Sequence, residues 1–97
     1  MTPYKVTNEA RADLHAIASY TRRRYGRVQL ERYMKVFREA FMRLSEDPNL
    51  GRPAGVADYS RYEVGRHVVI FNREKKVRIV RVLHDRMLPE LHLNEDD

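Results

Sequence analysis

Two apolar stripes at helical spacing, separated by a single glycine, constrain this chain more than any other feature of its sequence. The first stripe runs through Ala10, Leu14, Ile17, Ala18, Thr21 and Tyr25, and the second through Leu30, Tyr33, Met34, Phe37, Ala40, Phe41 and Leu44. Each follows the 3.6-residue period of one helix face. Gly26 stands between them and closes the first helix. With one residue as joint, the helices must fold back as an antiparallel hairpin, and each keeps an apolar stripe that a further element has to cover. The polar residues agree. Thr7 or Asn8 caps the first helix, Glu9 and Asp13 sit toward the positive end of its dipole, and Arg22, Arg23 and Arg24 toward its negative end. Arg32, Lys35, Arg38, Glu39 and Arg43 occupy the polar face of the second helix, and Pro48 ends it, so the hairpin is expected over about residues 8–47.

The covering layer is read from the runs on either side. Residues 4–7 alternate apolar and polar side chains and suit a first strand; residues 60–64, 67–71 and 77–84 have strand character, joined by Gly65-Arg66 and by the charged turn Arg73-Glu74-Lys75-Lys76. Residues 47–58, with Pro48, Pro53, Gly51 and Gly55, read as a connecting loop. Strict alternation in the last run puts Val77, Ile79, Arg81 and Leu83 on one face and Arg78, Val80, Val82 and His84 on the other. Neither face is purely polar, which predicts a central strand. The expected fold class is α+β: an N-terminal strand, an antiparallel two-helix hairpin and a three-stranded antiparallel sheet, in one domain over residues 1–97.

Composition narrows the chemistry. With no cysteine in 97 residues, a disulfide scaffold, a thiolate metal site and a cysteine nucleophile are excluded. No apolar stretch approaches the roughly 20 residues that span a bilayer, so a cytoplasmic protein without membrane contact is expected. The net charge is +5, but Glu90, Glu95, Asp96 and Asp97 crowd the last eight residues; residues 1–89 carry nineteen cations against ten acids, or +9. Fifteen of the cations are arginine, suited to planar, bidentate contacts with carboxylate or phosphate. The densest group is Arg22, Arg23, Arg24, Arg27, Arg32, Lys35 and Arg38, with Tyr25 and Tyr33 among them. It suits a solvated helix face, an acidic protein segment or a phosphate backbone.

Catalytic signals are sparse. His15, His67, His84 and His92 have no metal-ligand spacing, Ser19, Ser45 and Ser60 sit in no glycine-flanked elbow, and four glycines make no phosphate loop. His84, followed by Asp85 and Arg86, is the one imidazole with a carboxylate beside it to orient a proton transfer. No cofactor is expected. The aromatics Tyr4, Tyr20, Tyr25, Tyr33, Phe37, Phe41, Tyr62 and Phe71 are assigned mainly to the core.

The run Arg81-Val82-Leu83-His84-Asp85-Arg86-Met87 followed by Pro89-Glu90-Leu91-His92-Leu93 closely resembles the C-terminal signature of ParE-type toxins of the RelE/ParE superfamily. The segments from Tyr4 to Asp13, Tyr20 to Gly26, Glu31 to Tyr33, Asn49 to Pro53 and Val64 to Val68 are similar to that family in the same order. The resemblance implies the toxin of a bacterial type II toxin–antitoxin module, with DNA gyrase as target and a ParD-like antitoxin as partner in a hetero-oligomer. The antitoxin's acidic C-terminal segment would meet Arg22, Arg23, Arg24, Tyr25, Arg27, Arg32, Tyr33, Lys35 and Arg38, and DNA would be contacted indirectly through the antitoxin.

Toxicity is expected to rest on Arg81, His84, Arg86 and Met87, where the signature concentrates. Arg81 has a second reading, a structural tie to a C-terminal carboxylate or carbonyl. The RelE branch instead cleaves mRNA on the ribosome with basic strand residues and a late tyrosine. Here the last tyrosine is Tyr62, and Glu63 and Gly65 stand where that branch carries lysines. A gyrase-directed, non-enzymatic toxin is therefore expected ahead of an mRNA endonuclease or a relic that only binds its antitoxin.

Overall fold

A computed structural model describes residues 3–87, apart from the Met87 side chain. The acids Glu90, Glu95, Asp96 and Asp97, and the motif half from Pro89 to Leu93, lie outside the described residues. The elements are β1 (Tyr4–Val6), α1 (Asn8–Tyr25), α2 (Arg27–Glu46), β2 (Arg52–Pro53), β3 (Ser60–Val64), β4 (His67–Arg73) and β5 (Val77–His84), then a 3-10 turn, Asp85–Met87. The helical hairpin and all four expected strands are present.

The sheet differs from expectation in two respects: it is mixed, and it has five strands in the order β1-β5-β4-β3-β2. β1 pairs with β5 in parallel, from Tyr4 opposite Val77 to Val6 opposite Ile79. The helices carry the chain from β1 across to the far side of the sheet, and the two antiparallel steps from β3 through β4 to β5 reverse its direction twice, so that β3 and β5 both run with β1. β2 is only Arg52–Pro53, antiparallel to β3. A two-residue edge strand containing proline has no alternation to read.

The helices cover one sheet face. Phe37, Ala40, Phe41 and Leu44 of α2 and Ala10 of α1 are buried against Val64, Val69, Phe71, Val77, Ile79 and Val82. Tyr4 meets Phe41 edge-on at 5.4 Å. The opposite face carries a smaller cluster, Val68, Ile70 and Leu83 beneath Ala54 and Tyr59 of the β2–β3 loop. Gly26 makes the helix joint at φ 93°, a left-handed position that a side chain would strain. The turn to β5 is shorter than expected, because Arg73 belongs to β4. Its guanidinium donates to the carbonyls of Leu44 (2.8 Å), Asp47 (3.0 Å) and Leu50 (3.1 Å), closing the C-terminus of α2.

The face assignment of β5 is overturned by a bulge. Ile70 faces Arg81 and Phe71 faces Ile79, leaving Val80 without a partner on β4. Past that residue the alternation reverses: Val82 joins Val77 and Ile79 under the helices, and Leu83 goes to the other cluster. Helix α1 holds the bulge. The Thr7 hydroxyl donates to the Val80 carbonyl at 2.9 Å while accepting the Ala10 N–H at 3.1 Å as the N-cap, and the Thr7 N–H donates to the Ile79 carbonyl at 3.0 Å. Beyond β1, Asp13 takes a strand's place along β5. Its carboxylate accepts the Val82 N–H at 2.9 Å and both Nε and Nη2 of Arg81, at 2.7 and 3.1 Å.

The Asp13 side chain is 17% exposed and that of Arg81 44%, so solvent screens part of this pair. The bidentate geometry and the backbone donor still make it a firm polar link between helix and sheet. Asp13→Ala is expected to cost about 2–3 kcal/mol, lowering Tm by roughly 10–20 °C in a thermal melt followed by circular dichroism. Asp13→Asn, which keeps an acceptor for Val82, should lose less.

Candidate functional site

The reversal at Val80 brings His84 to the helix side of the sheet, opposite His67 of β4, with the two rings 5.1 Å apart and near perpendicular. From α2, Tyr33 reaches the same place, its hydroxyl 2.5 Å from Nδ1 of His67, and Phe37 lies against His67 at 5.8 Å. Burial, together with the charge of Asp85, raises the Tyr33 hydroxyl above its ordinary range against an opposing backbone N–H of Arg66. Burial lowers the His67 imidazole, the neighbouring His84 lowers it further, and Asp85 works the other way. Both directions fit one proton arrangement: Tyr33 O–H donates to Nδ1 of a neutral His67.

The β3–β4 hairpin closes on Gly65-Arg66, with Gly65 at φ 58° and Tyr33 Oη 3.2 Å from where a Cβ would stand. Glycine is needed on both counts. Arg66 is clipped to the end of β5: its carbonyl accepts the Asp85 N–H at 2.8 Å, and its Nε donates to Asp85 Oδ2 at 3.1 Å. The Arg86 N–H donates to His84 Nδ1 at 3.1 Å, and the same nitrogen lies 2.8 Å from Asp85 Oδ1.

Around this cluster lies a groove of about 410 Å³, lined by Tyr20, Thr21, Tyr25, Gln29, Tyr33, Gly65, Arg66, His84 and Arg86. Helix geometry explains its outer wall. From Thr7, beside Ile79, the eighteen residues of α1 rise about 27 Å at 1.5 Å each, whereas β5 continues only to His84, about 17 Å at 3.3–3.4 Å per residue. The last turns of α1 overhang the sheet. Tyr20 and Tyr25 are accordingly 55% and 63% exposed, against their assignment to the core, while Tyr4, Tyr33, Phe37, Phe41, Tyr62 and Phe71 do pack into it.

The sequence-derived residues are thus sorted by the fold. His84, Arg86, Tyr25 and Tyr33 meet at the groove. Arg81 does not; Asp13 engages it, the structural tie foreseen but to an N-terminal partner. Met87 ends the 3-10 turn, and its side chain lies outside the description. The basic series does not form one surface. Arg22 and Arg23 flank Ala18, Ser19 and Leu30, Arg27 pairs with Glu31 at 3.4 Å, and Lys35 and Arg38 lie beside Glu39, Met42, Arg43 and Glu46. Arg66, His67, Tyr20 and Gln29 were not named from sequence as site residues. The signals for the first two are their hairpin position next to Gly65 and their place in the segment from Val64 to Val68 that is similar to the family.

The family described as ParE toxin of type II toxin-antitoxin system, parDE, matches residues 4–89. The chain belongs to the ParE toxin family. It is 35% identical over 95 residues to Toxin ParE1 of Caulobacter vibrioides, covering 96% of this chain and 99% of that one. It is 31% identical over 88 residues to Toxin ParE1 of Mycobacterium tuberculosis, covering 87% and 90%. A solved chain of the chromosomal ParDE system from P. aeruginosa has the same fold, with a TM-score of 0.75 at 23% identity over 84% of this chain and 92% of that one. In this ParE toxin, no helix among the described residues is long and apolar enough to cross a membrane.

The half-buried Tyr33–His67 pair carries a pH signature. With the folded pKa of His67 below the unfolded value of about 6.5, the unfolded chain binds the proton first, so stability is full above that value and falls as pH drops below it. Between about pH 7 and 5 the wild-type melting temperature should fall, with a slope of at most about 1.4 kcal/mol per unit from this group. His67→Gln should flatten that part of the profile.

Proposed function

We propose that this ParE toxin arrests growth by binding DNA gyrase, without turnover of its own, and is silenced by a ParD-like antitoxin. The observation that carries the reading against mRNA cleavage lies on β3. Tyr62 packs into the core beneath the helices, and the Glu63 carboxylate is held by Arg52 at 2.6 Å. An acid therefore occupies the strand where a ribonuclease of this superfamily would need cations for the scissile phosphate. The groove offers recognition groups instead, with His84 and Arg86 at its sheet side as the toxicity determinants.

The antitoxin takes another surface. On α2, Val28, Arg32, Lys35, Val36, Glu39, Met42 and Arg43 share the outward face by helical spacing, and Val28, Val36 and Met42 are exposed there. Apolar side chains between cations suit an amphipathic, acidic segment. Arg22, Arg23 and Arg24 at the end of α1 add to its attraction, mainly through association rate.

Two measurements test this. His84→Ala with Arg86→Ala should lower gyrase-dependent DNA cleavage complexes and growth arrest by about tenfold or more, with antitoxin affinity unchanged. Translation-dependent mRNA cleavage with unaffected gyrase, or expression without growth arrest, would overturn the reading. Replacing Arg22, Arg23 and Arg24 together with Gln should slow antitoxin association and flatten its salt dependence, as read by surface plasmon resonance.

A further inference from the structure

The groove at the tip of the helical hairpin differs in chemistry from the outward face of α2. Its side chains are three tyrosines, a threonine, a glutamine, a histidine and two arginines, whereas the α2 face presents valine and methionine between charges. An amphipathic helical segment anchors mainly through aliphatic side chains, for which the exposed valines and methionine of the α2 face are the better match. A nucleic-acid strand uses both the groove's arginines and its aromatic faces, since every base has a face to stack and every linkage carries a phosphate. Tyr20 and Tyr25, more than half exposed, are open to stacking. Gln29 carries both an acceptor and donors for a base edge. Arg66 spends only Nε on Asp85, and its side chain is 73% exposed, which leaves its terminal nitrogens for a phosphate. The volume of about 410 Å³ lies within the range of small-ligand pockets, about 300–1,000 Å³.

We propose that this groove binds an unpaired stretch of a nucleic-acid strand directly, one base stacked on Tyr25 or Tyr20 and the adjoining phosphate held by Arg66 and Arg86. The contact is the toxin's own, not one made through an antitoxin, and it does not rest on the gyrase reading, because it is measured in the absence of gyrase.

The test is fluorescence anisotropy with the purified full chain and labelled oligo-dT and oligo-rU of about twelve nucleotides, a duplex of the same length and a poly-glutamate peptide, between about 50 and 200 mM salt. Single strands should bind more tightly than duplex or peptide, and the stronger of the two assigns the site to DNA or to RNA. Tyr25→Ala should weaken binding about tenfold or more while Tyr25→Phe retains it, and Arg66→Gln and Arg86→Gln should each reduce the salt slope by about 0.7. Lys75→Gln, outside the groove, should leave affinity within about twofold if contact is local. Tyr25 is a surface residue at a helix end, so its replacement leaves the core intact; Tyr20→Ala is the second variant, with melting curves as the check on folding. Equal or tighter binding of poly-glutamate or duplex, or unchanged affinity in both tyrosine variants, would overturn the proposal.

Discussion

One extra residue in β5, held by the N-cap and one further side chain of α1, decides the arrangement of the whole sheet-to-helix interface. Without the bulge at Val80, period-two alternation from Val77 and Ile79 would carry Arg81 and Leu83 beneath the helices and His84 to the other face. With it, Val82 completes the main core, and His84 stands beside His67 and Tyr33. A bulge leaves backbone groups unpaired on the side it faces, so it persists only where something else satisfies them. Thr7 and Asp13 do so from α1, taking the Val80 carbonyl and the Val82 N–H. The cap of the first helix and the geometry of the groove are therefore parts of one device.

That device marks the boundary of what the sequence could reveal. The hairpin was legible because Gly26, Pro48 and two apolar stripes are local signals, and the longer strands because turn residues bound them. The bulge was not, since Val80 sits in a run of strand-forming residues and nothing nearby distinguishes it. What selects it is a threonine and an aspartate some seventy positions earlier. The same holds for Arg73, which reads as part of a charged turn and serves as the cap of α2. Its three acceptors are carbonyls, which every residue has, so no residue type announces them.

The candidate site was half legible for a related reason. His84 and Arg86 drew attention through their neighbours in sequence, but Arg66 and His67 enter through strand pairing, and Tyr20 and Gln29 through the meeting of two helix ends. Reading the cations as one series along the chain joined residues that the helix period separates. Arg27 turns to Glu31, and Lys35 and Arg38 share a surface with Met42. Charge counted along a helix says how much attraction is available; only the 100° step per residue says where it points.

The separation of surfaces follows from lengths. A helix rises about 1.5 Å per residue and a strand about 3.3 Å, so an eighteen-residue helix whose cap, Thr7, lies beside Ile79 outruns a strand that ends at His84. The overhanging turns have no sheet beneath them, and their tyrosines, Tyr20 and Tyr25, are left beside the strand ends near Arg66 and Arg86. A one-residue joint at Gly26 adds Gln29 to the same wall at once, with no loop to intervene. A small domain can thus build a polar, aromatic groove by making its helices longer than the sheet they cover. The face of α2 that carries Val28, Val36 and Met42 remains clear of that groove, which leaves room for two partners of different chemistry on one small protein.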